Sequence, residues 1–100
     1  MVSLIKKDML IEEYFVPSVS ISSGTAGTYA TNTSISTAKT GYKAVTVAVS
    51  ILGHPANYRA SAAFANANKL AVTVSFYRTS TSAYDIPAGD CAITVWYNKE

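Results

Sequence analysis

Apolar and polar residues alternate along much of the chain, and this period of two predicts β-strands. In residues 70–77 every second residue is large and apolar: Leu70, Val72, Val74 and Phe76. Residues 91–97 show the same alternation: Cys91, Ile93, Val95 and Tyr97. Both segments therefore predict strands that place one face in a core.

Residues 18–23, 28–37 and 41–52 are also predicted strands, separated by the Gly-containing turns GTAG and AKTG. Residues 58–65 leave two alternatives open, because their Ala content favours a short helix and their alternation favours a strand. The polar segment that follows Tyr77 carries Pro87 and Gly89 and predicts a loop. Short strands with frequent turns predict an all-β fold, an antiparallel β-sandwich of jelly-roll-like form.

The first 17 residues differ from the rest. Apolar residues and one Glu are spaced alternately three and four positions apart, as in a coiled-coil seam: Val2, Ile5, Met9, Glu12 and Val16. A short coiled coil, a helix packed on the sandwich and an extended arm ending at Pro17 all fit this spacing. We therefore expect two units, an N-terminal arm for attachment or oligomerisation at residues 1–17 and a head domain at residues 18–100.

The predicted strand of residues 41–52 has an unusual second face. Its first face carries Val45, Val47, Val49 and Ile51, whereas the second carries only small neutral residues: Ala44, Thr46, Ala48 and Ser50. A water-facing strand usually carries charges, and the centre of a subunit interface is depleted in them. We therefore predict that this face packs against another copy of the chain; a monomer with a hydroxyl-rich surface is the alternative.

Composition narrows the classes of function. Of the 100 residues, 49% are hydrophobic and only 14% charged, with a formal net charge of +2. Such a weak and scattered positive charge does not make a nucleic-acid surface. There is no apolar run long enough to span a membrane, and the N-terminus has no signal-peptide pattern. We expect a protein made in a reducing cytoplasm and not exported by the general secretory route.

Catalytic chemistry has few candidates in this chain. The single His, His54, lies in a loop, and the single Cys, Cys91, begins an apolar strand and is expected to pack as a small hydrophobe. Asp85 and Asp90 are too few for a calcium site, and we expect them to satisfy turn amides. The sequence thus predicts no enzyme activity, no metal and no cofactor.

Tyrosines near turns and strand ends suit sugar rings as well as a sandwich rim, because each has a flat apolar face and a polar tip. We predict a ligand surface in the two long loops: His54, Asn57, Tyr58 and Arg59, with Arg78 and Tyr84.

Three stretches in order, KTGYKAVTVAVSILG, ANKLAVTVSFYRTSTSA and the closing AITVWYNKE, resemble small β-sandwich proteins of bacteriophages and prophages. These occur as tail-fibre tips, receptor-binding proteins and baseplate appendages. The resemblance covers residues 18–100 in style and strand order, without a diagnostic motif. It implies a homotrimer in the virion, an N-terminal arm that joins tail or baseplate proteins, and a head that binds a saccharide of the bacterial surface.

Overall fold

The computed structural model describes residues 9–100, and within this range the chain forms eight strands and no helix. The strands are β1 (Met9–Phe15), β2 (Val19–Ile21), β3 (Tyr29–Ser36), β4 (Tyr42–Ile51), β5 (Tyr58–Phe64), β6 (Ala71–Arg78), β7 (Tyr84–Ile86) and β8 (Cys91–Lys99). Every strand pair is antiparallel. The predicted all-β antiparallel fold is confirmed.

The strands pair in a nested order, β1 with β8, β2 with β7 and β3 with β6. Backbone hydrogen bonds continue the pairing between these ladders, for example from the N–H of Val16 to the carbonyl of Cys91 and from the N–H of Gly27 to that of Arg78. The two halves of the chain therefore run side by side as one long ribbon, as in the winding of a jelly roll. β4 joins the ribbon beside β8, and β5 joins it beside β6.

The ribbon bends at the β2–β7 pair, so its two ends become two three-stranded sheets, β1-β8-β4 and β3-β6-β5. The sheets pack in a sandwich-like arrangement around one core to which β6 and β8 contribute most. Its buried members from these strands are Val72, Val74, Phe76, Cys91, Ile93, Val95 and Tyr97. The Tyr97 hydroxyl donates to the carbonyl of Thr37 across the core at 2.9 Å.

Residues 58–65, where helix and strand were both open, contain the strand β5. Tyr58 is fully buried, and the inward positions continue at Ala60, Ala62 and Phe64. The alternating pattern therefore outweighs the helix propensity of alanine here, because alternation gives the strand an apolar face that the core can bury.

Two segments differ from their predictions. Met9–Phe15 is a strand, β1, paired with β8 along its whole length. A helix or coiled coil is therefore wrong for these residues. Val2 and Ile5, which also belong to the predicted seam, lie outside the described residues. The expected loop after β6 contains the short strand β7, which pairs with β2. Both strands gain their backbone hydrogen bonds from partners far away in the chain.

The β4 face predicted from alternation is interrupted by a bulge. Ala44 pairs with Tyr97 and Thr46 with the next residue, Trp96, so Val45 is an extra residue. Val45 is consequently 41% exposed, whereas Ala44 is buried in the core. This corrects the prediction for Ala44, while Thr46, Ala48 and Ser50 do share the exposed side of β4.

Candidate functional site

The bend of the ribbon brings four polar and aromatic residues together: His54, Tyr58, Tyr84 and Asp90, here called the Asp90 cluster. His54 comes from the β4–β5 loop, and Asp90 from the β7–β8 turn. The Leu52 N–H donates to the Asp90 carbonyl at 2.7 Å, which brings the loop against the turn. Gly53 lies so close that a Cβ there would overlap the Asp90 carboxylate.

Asp90 accepts a hydrogen bond on each carboxylate oxygen. The Tyr58 hydroxyl donates to Oδ2 at 2.8 Å, and Nδ1 of His54 lies 2.7 Å from Oδ1. The Tyr84 ring stacks on Tyr58 at a centroid distance of 6.1 Å, with the His54 ring beside it. The carboxylate is buried, but half of the His54 side chain remains exposed.

Opposing effects act on the acidity of this cluster. Burial acts to raise the pKa of the Asp90 carboxyl, but the hydrogen bonds from Tyr58 and His54 outweigh it and lower that pKa. Burial and the same hydrogen bond raise the pKa of Tyr58, so its hydroxyl remains a donor. The cluster therefore holds a carboxylate that stays ionised although it is nearly removed from water.

An imidazole held by a carboxylate through Nδ1 resembles the base half of a nucleophile–base pair, which also needs a nucleophile. Cys91 follows Asp90 directly, but its side chain is fully buried, and burial raises the pKa of its thiol to about 11. No group of three His, Cys, Asp or Glu residues suited to a metal occurs among residues 9–100. The two hydrogen bonds of the Asp90 carboxylate join the β4–β5 loop and β5 to the turn before β8.

The six predicted ligand residues separate into distinct environments. Tyr58 is fully buried, which corrects its assignment to a ligand surface. His54 and Tyr84 join it in the Asp90 cluster, and Asn57 lines a depression of about 260 Å³ beside Tyr84. The alternation of apolar residues in 58–65 could have indicated this burial, because it puts Tyr58 on the same face of its strand as Phe64.

Arg78 is held by the loop between β2 and β3. Its Nε donates to the carbonyl of Ser22 at 2.8 Å, and its other nitrogens donate to the Ser22 hydroxyl and to oxygens of Thr28 and Tyr29. Arg78 and Arg59 line one depression of about 530 Å³. Arg59 is exposed, and it is the predicted ligand residue most open to solvent in that depression.

The outer face of the β1-β8-β4 sheet is the second candidate surface. Its cross-strand rows place together Ile11, Glu13 and Phe15 of β1, Ala92, Thr94 and Trp96 of β8, and Thr46, Ala48 and Ser50 of β4. We call these nine residues the Trp96 face. It carries one charge, and Phe15 is 62% exposed. The predicted second face of residues 41–52 supplied its β4 part, whereas the β1 part was missed because a strand was not predicted there.

Within residues 9–100, no helix has the length and apolar character needed to cross a membrane. Comparison with protein-family models, curated proteins and solved structures found no match. The function is therefore inferred from the chemistry of these surfaces and from the resemblance of the sequence.

Proposed function

We propose that the chain is a non-enzymatic structural protein of a bacteriophage or prophage particle. It is a self-associating β-sandwich head, a homotrimer, that recognises a saccharide of the bacterial surface. The N-terminal arm, apart from the part of it that forms β1, connects the head to tail or baseplate proteins. The trimer and the virion location follow the resemblance of residues 18–100, and self-association has support of its own in the fold.

The Trp96 face is the observation that carries self-association. Phe15 and Ile11 are 62% and 38% exposed, and Ile11 lies directly opposite Trp96 on the same face. Exposed apolar groups that lie together mark interaction surfaces in proteins. The remaining positions are small or neutral apart from Glu13, so a second surface can approach closely at little desolvation cost.

A charge placed in the Trp96 face tests this proposal. Ala48 is exposed at the middle of the β4 row, opposite Thr94. In Ala48→Glu a carboxylate is buried without a partner if the face is an interface, which costs roughly 3–5 kcal/mol. We expect the variant to sediment as a single chain at concentrations where the unsubstituted protein is associated.

Ala63→Glu is the matched control, because Ala63 is an exposed alanine of the edge strand β5 in the other sheet. It should retain the mass of the unsubstituted protein. If Ala48→Glu is folded by circular dichroism and remains associated as strongly as the control, the Trp96 face is not the interface and the proposed assembly is wrong.

A monomeric carbohydrate-binding module is the second candidate. The observation that favours it is the depression beside Arg59 and Tyr77, which a single chain forms completely. Saccharide binding by a chain that sediments as a monomer would select this function over the trimeric head.

A further inference from the structure

The depression next to Arg59 has the composition of a ligand site. It lies at the end of the β3-β6-β5 sheet, has a volume of about 530 Å³ and is lined by Gly27, Arg59, Ala60, Tyr77, Arg78 and Thr79. Small-molecule sites commonly have volumes of about 300–1,000 Å³. Arg59 and Tyr77 are direct cross-strand partners, on the sheet face opposite to that of the buried Tyr58 and Phe76. Arg78 is the cross-strand partner of Tyr58, so its side chain leaves the sheet on that other face, at the edge of the depression.

Positive charge in this depression is not neutralised by the described part of the chain. The ion pairs among residues 9–100 are Lys39 with Glu12 and His54 with Asp90, so neither arginine has a carboxylate within 4 Å. The four hydrogen bonds of Arg78 end on carbonyl and hydroxyl oxygens. Those bonds fix the guanidinium of Arg78 in place, and no carboxylate of residues 9–100 compensates its charge. Arg59 is exposed and presents its planar fork of donors to solvent.

An aromatic ring lies beside these charges. Tyr77 is partly exposed, and the ring of Tyr29 contacts it edge to face, with centroids 5.9 Å apart and planes at 73°. This contact restricts the orientation of the Tyr77 ring. A fixed tyrosine ring offers an apolar surface and a hydroxyl, which suit the C–H face and the hydroxyls of a sugar.

From Arg59 and Tyr77, which share one sheet face in the depression, we infer that the depression binds a negatively charged saccharide. Arg59 pairs with the acidic group in a bidentate manner, and Tyr77 supports the sugar ring. The acidic group is a carboxylate of a uronic acid or a phosphate of a phosphate-linked glycan, since an arginine fork fits both. This inference rests on the proposed saccharide recognition and specifies its ligand class.

A titration of the full-length, ¹⁵N-labelled chain followed by amide NMR shifts tests the inference. The probes are tri-galacturonate, its neutral methyl ester and a glycerol-phosphate trimer. We expect the two anionic probes to shift amides near Gly27 and Tyr77–Thr79, and the ester to bind at least about tenfold more weakly, as for loss of one charged hydrogen bond. The anionic probe that binds more tightly identifies the acidic group as a carboxylate or a phosphate.

Arg59→Gln and Lys43→Gln form a matched pair, because each removes one exposed positive charge and Lys43 belongs to the other sheet. Arg59→Gln should weaken binding by about tenfold or more, and Lys43→Gln should change it less than about twofold. Equal binding of the acid and its methyl ester, equal effects of both substitutions, or tighter binding of a thymidine trinucleotide than of either glycan would overturn the inference.

The mass of the same samples separates this result from the proposed assembly. If the chain is associated and binds only the neutral ester, the proposed saccharide-binding head stands and the inferred acidic ligand class is wrong. Anion binding by a monomer supports the site and contradicts the trimer.

Discussion

The buried Asp90 carboxylate connects the β7–β8 turn to His54 of the β4–β5 loop and to Tyr58 of β5. A buried charge is tolerated only where its lone pairs are satisfied, since an unpaired one costs several kcal/mol. The Tyr58 hydroxyl is the buried one of the two donors. At the scale of single residues, this hydrogen bond is therefore the contact on which the structure of the bend depends most.

Tyr58→Phe should lower the free energy of unfolding by about 1–3 kcal/mol, because the buried carboxylate loses one of its two side-chain donors. Tyr84→Phe is the control, since it keeps the ring stacked on Tyr58 and removes a hydroxyl with no contact to Asp90. Urea unfolding at pH 7 measures both. Equal stability of the two variants would show that the Tyr58–Asp90 hydrogen bond contributes nothing net.

Acid should weaken the same contact. The pKa of Asp90 is lowered in the folded chain, whereas that of an unfolded Asp is about 3.9. The stabilisation is therefore complete above the unfolded pKa and is lost as the pH falls through the folded one. We expect Asp90→Asn to be less stable at pH 7, and its stability to fall less between about pH 5 and pH 2 than that of the unsubstituted chain.

Urea unfolding at a series of pH values measures this difference, and parallel curves for the two proteins would contradict it. The sequence did not show this role of Asp90. Its partners are 32 and 36 residues away. The antiparallel pairing of β4 with β8, which places Ile51 opposite Cys91, and the path of the β4–β5 loop bring them to it. Local pattern placed Asp90 in a turn, where its own N–H donates to the carbonyl of Pro87. The prediction that its carboxylate satisfies amides of that turn is corrected, because the carboxylate accepts from the side chains of Tyr58 and His54.

Among the strands, β6 and β8 were the most predictable elements, because they are the central strands of their sheets and alternate regularly. β4 is an edge strand, and its bulge at Val45 changes which residues face the core. Alternation alone places Val45 and Val47 on one face, since a single extra residue leaves no mark in the sequence. β1 and β7 were not predicted as strands. Their pairing partners, β8 and β2, lie far from them in the sequence, so the local pattern does not show the pairing.

Substitution by threonine tests the bulge. Val47 packs partly buried against the core, whereas Val45 is exposed. Val47→Thr should cost about 1–3 kcal/mol of unfolding free energy because it places a hydroxyl against apolar groups, and Val45→Thr should cost less than about 0.5 kcal/mol. Urea midpoints measure both. Equal losses for the two variants would mean that Val45 faces the core and that β4 pairs without a bulge.

At the scale of the whole molecule, the chain is one folded ribbon with two sheets. Alternation and frequent turns predicted its all-β class, because short segments with a period of two can each place one face in a shared core. The nested pairing could not be predicted, since strand order depends on which distant segments meet. The Trp96 face combines β1 and β8, from opposite ends of the chain, with β4 from its middle. Only the fold therefore reveals its full extent.

Self-association is the central claim, and the mass of the unsubstituted, full-length chain in solution tests it most directly. Sedimentation equilibrium over a hundredfold dilution measures that mass without a tag or a label. We predict a species of three chains, each of 10.6 kDa, that persists on dilution. A single species of 10.6 kDa at every concentration would contradict the trimeric head and leave the Trp96 face as the surface of a monomer.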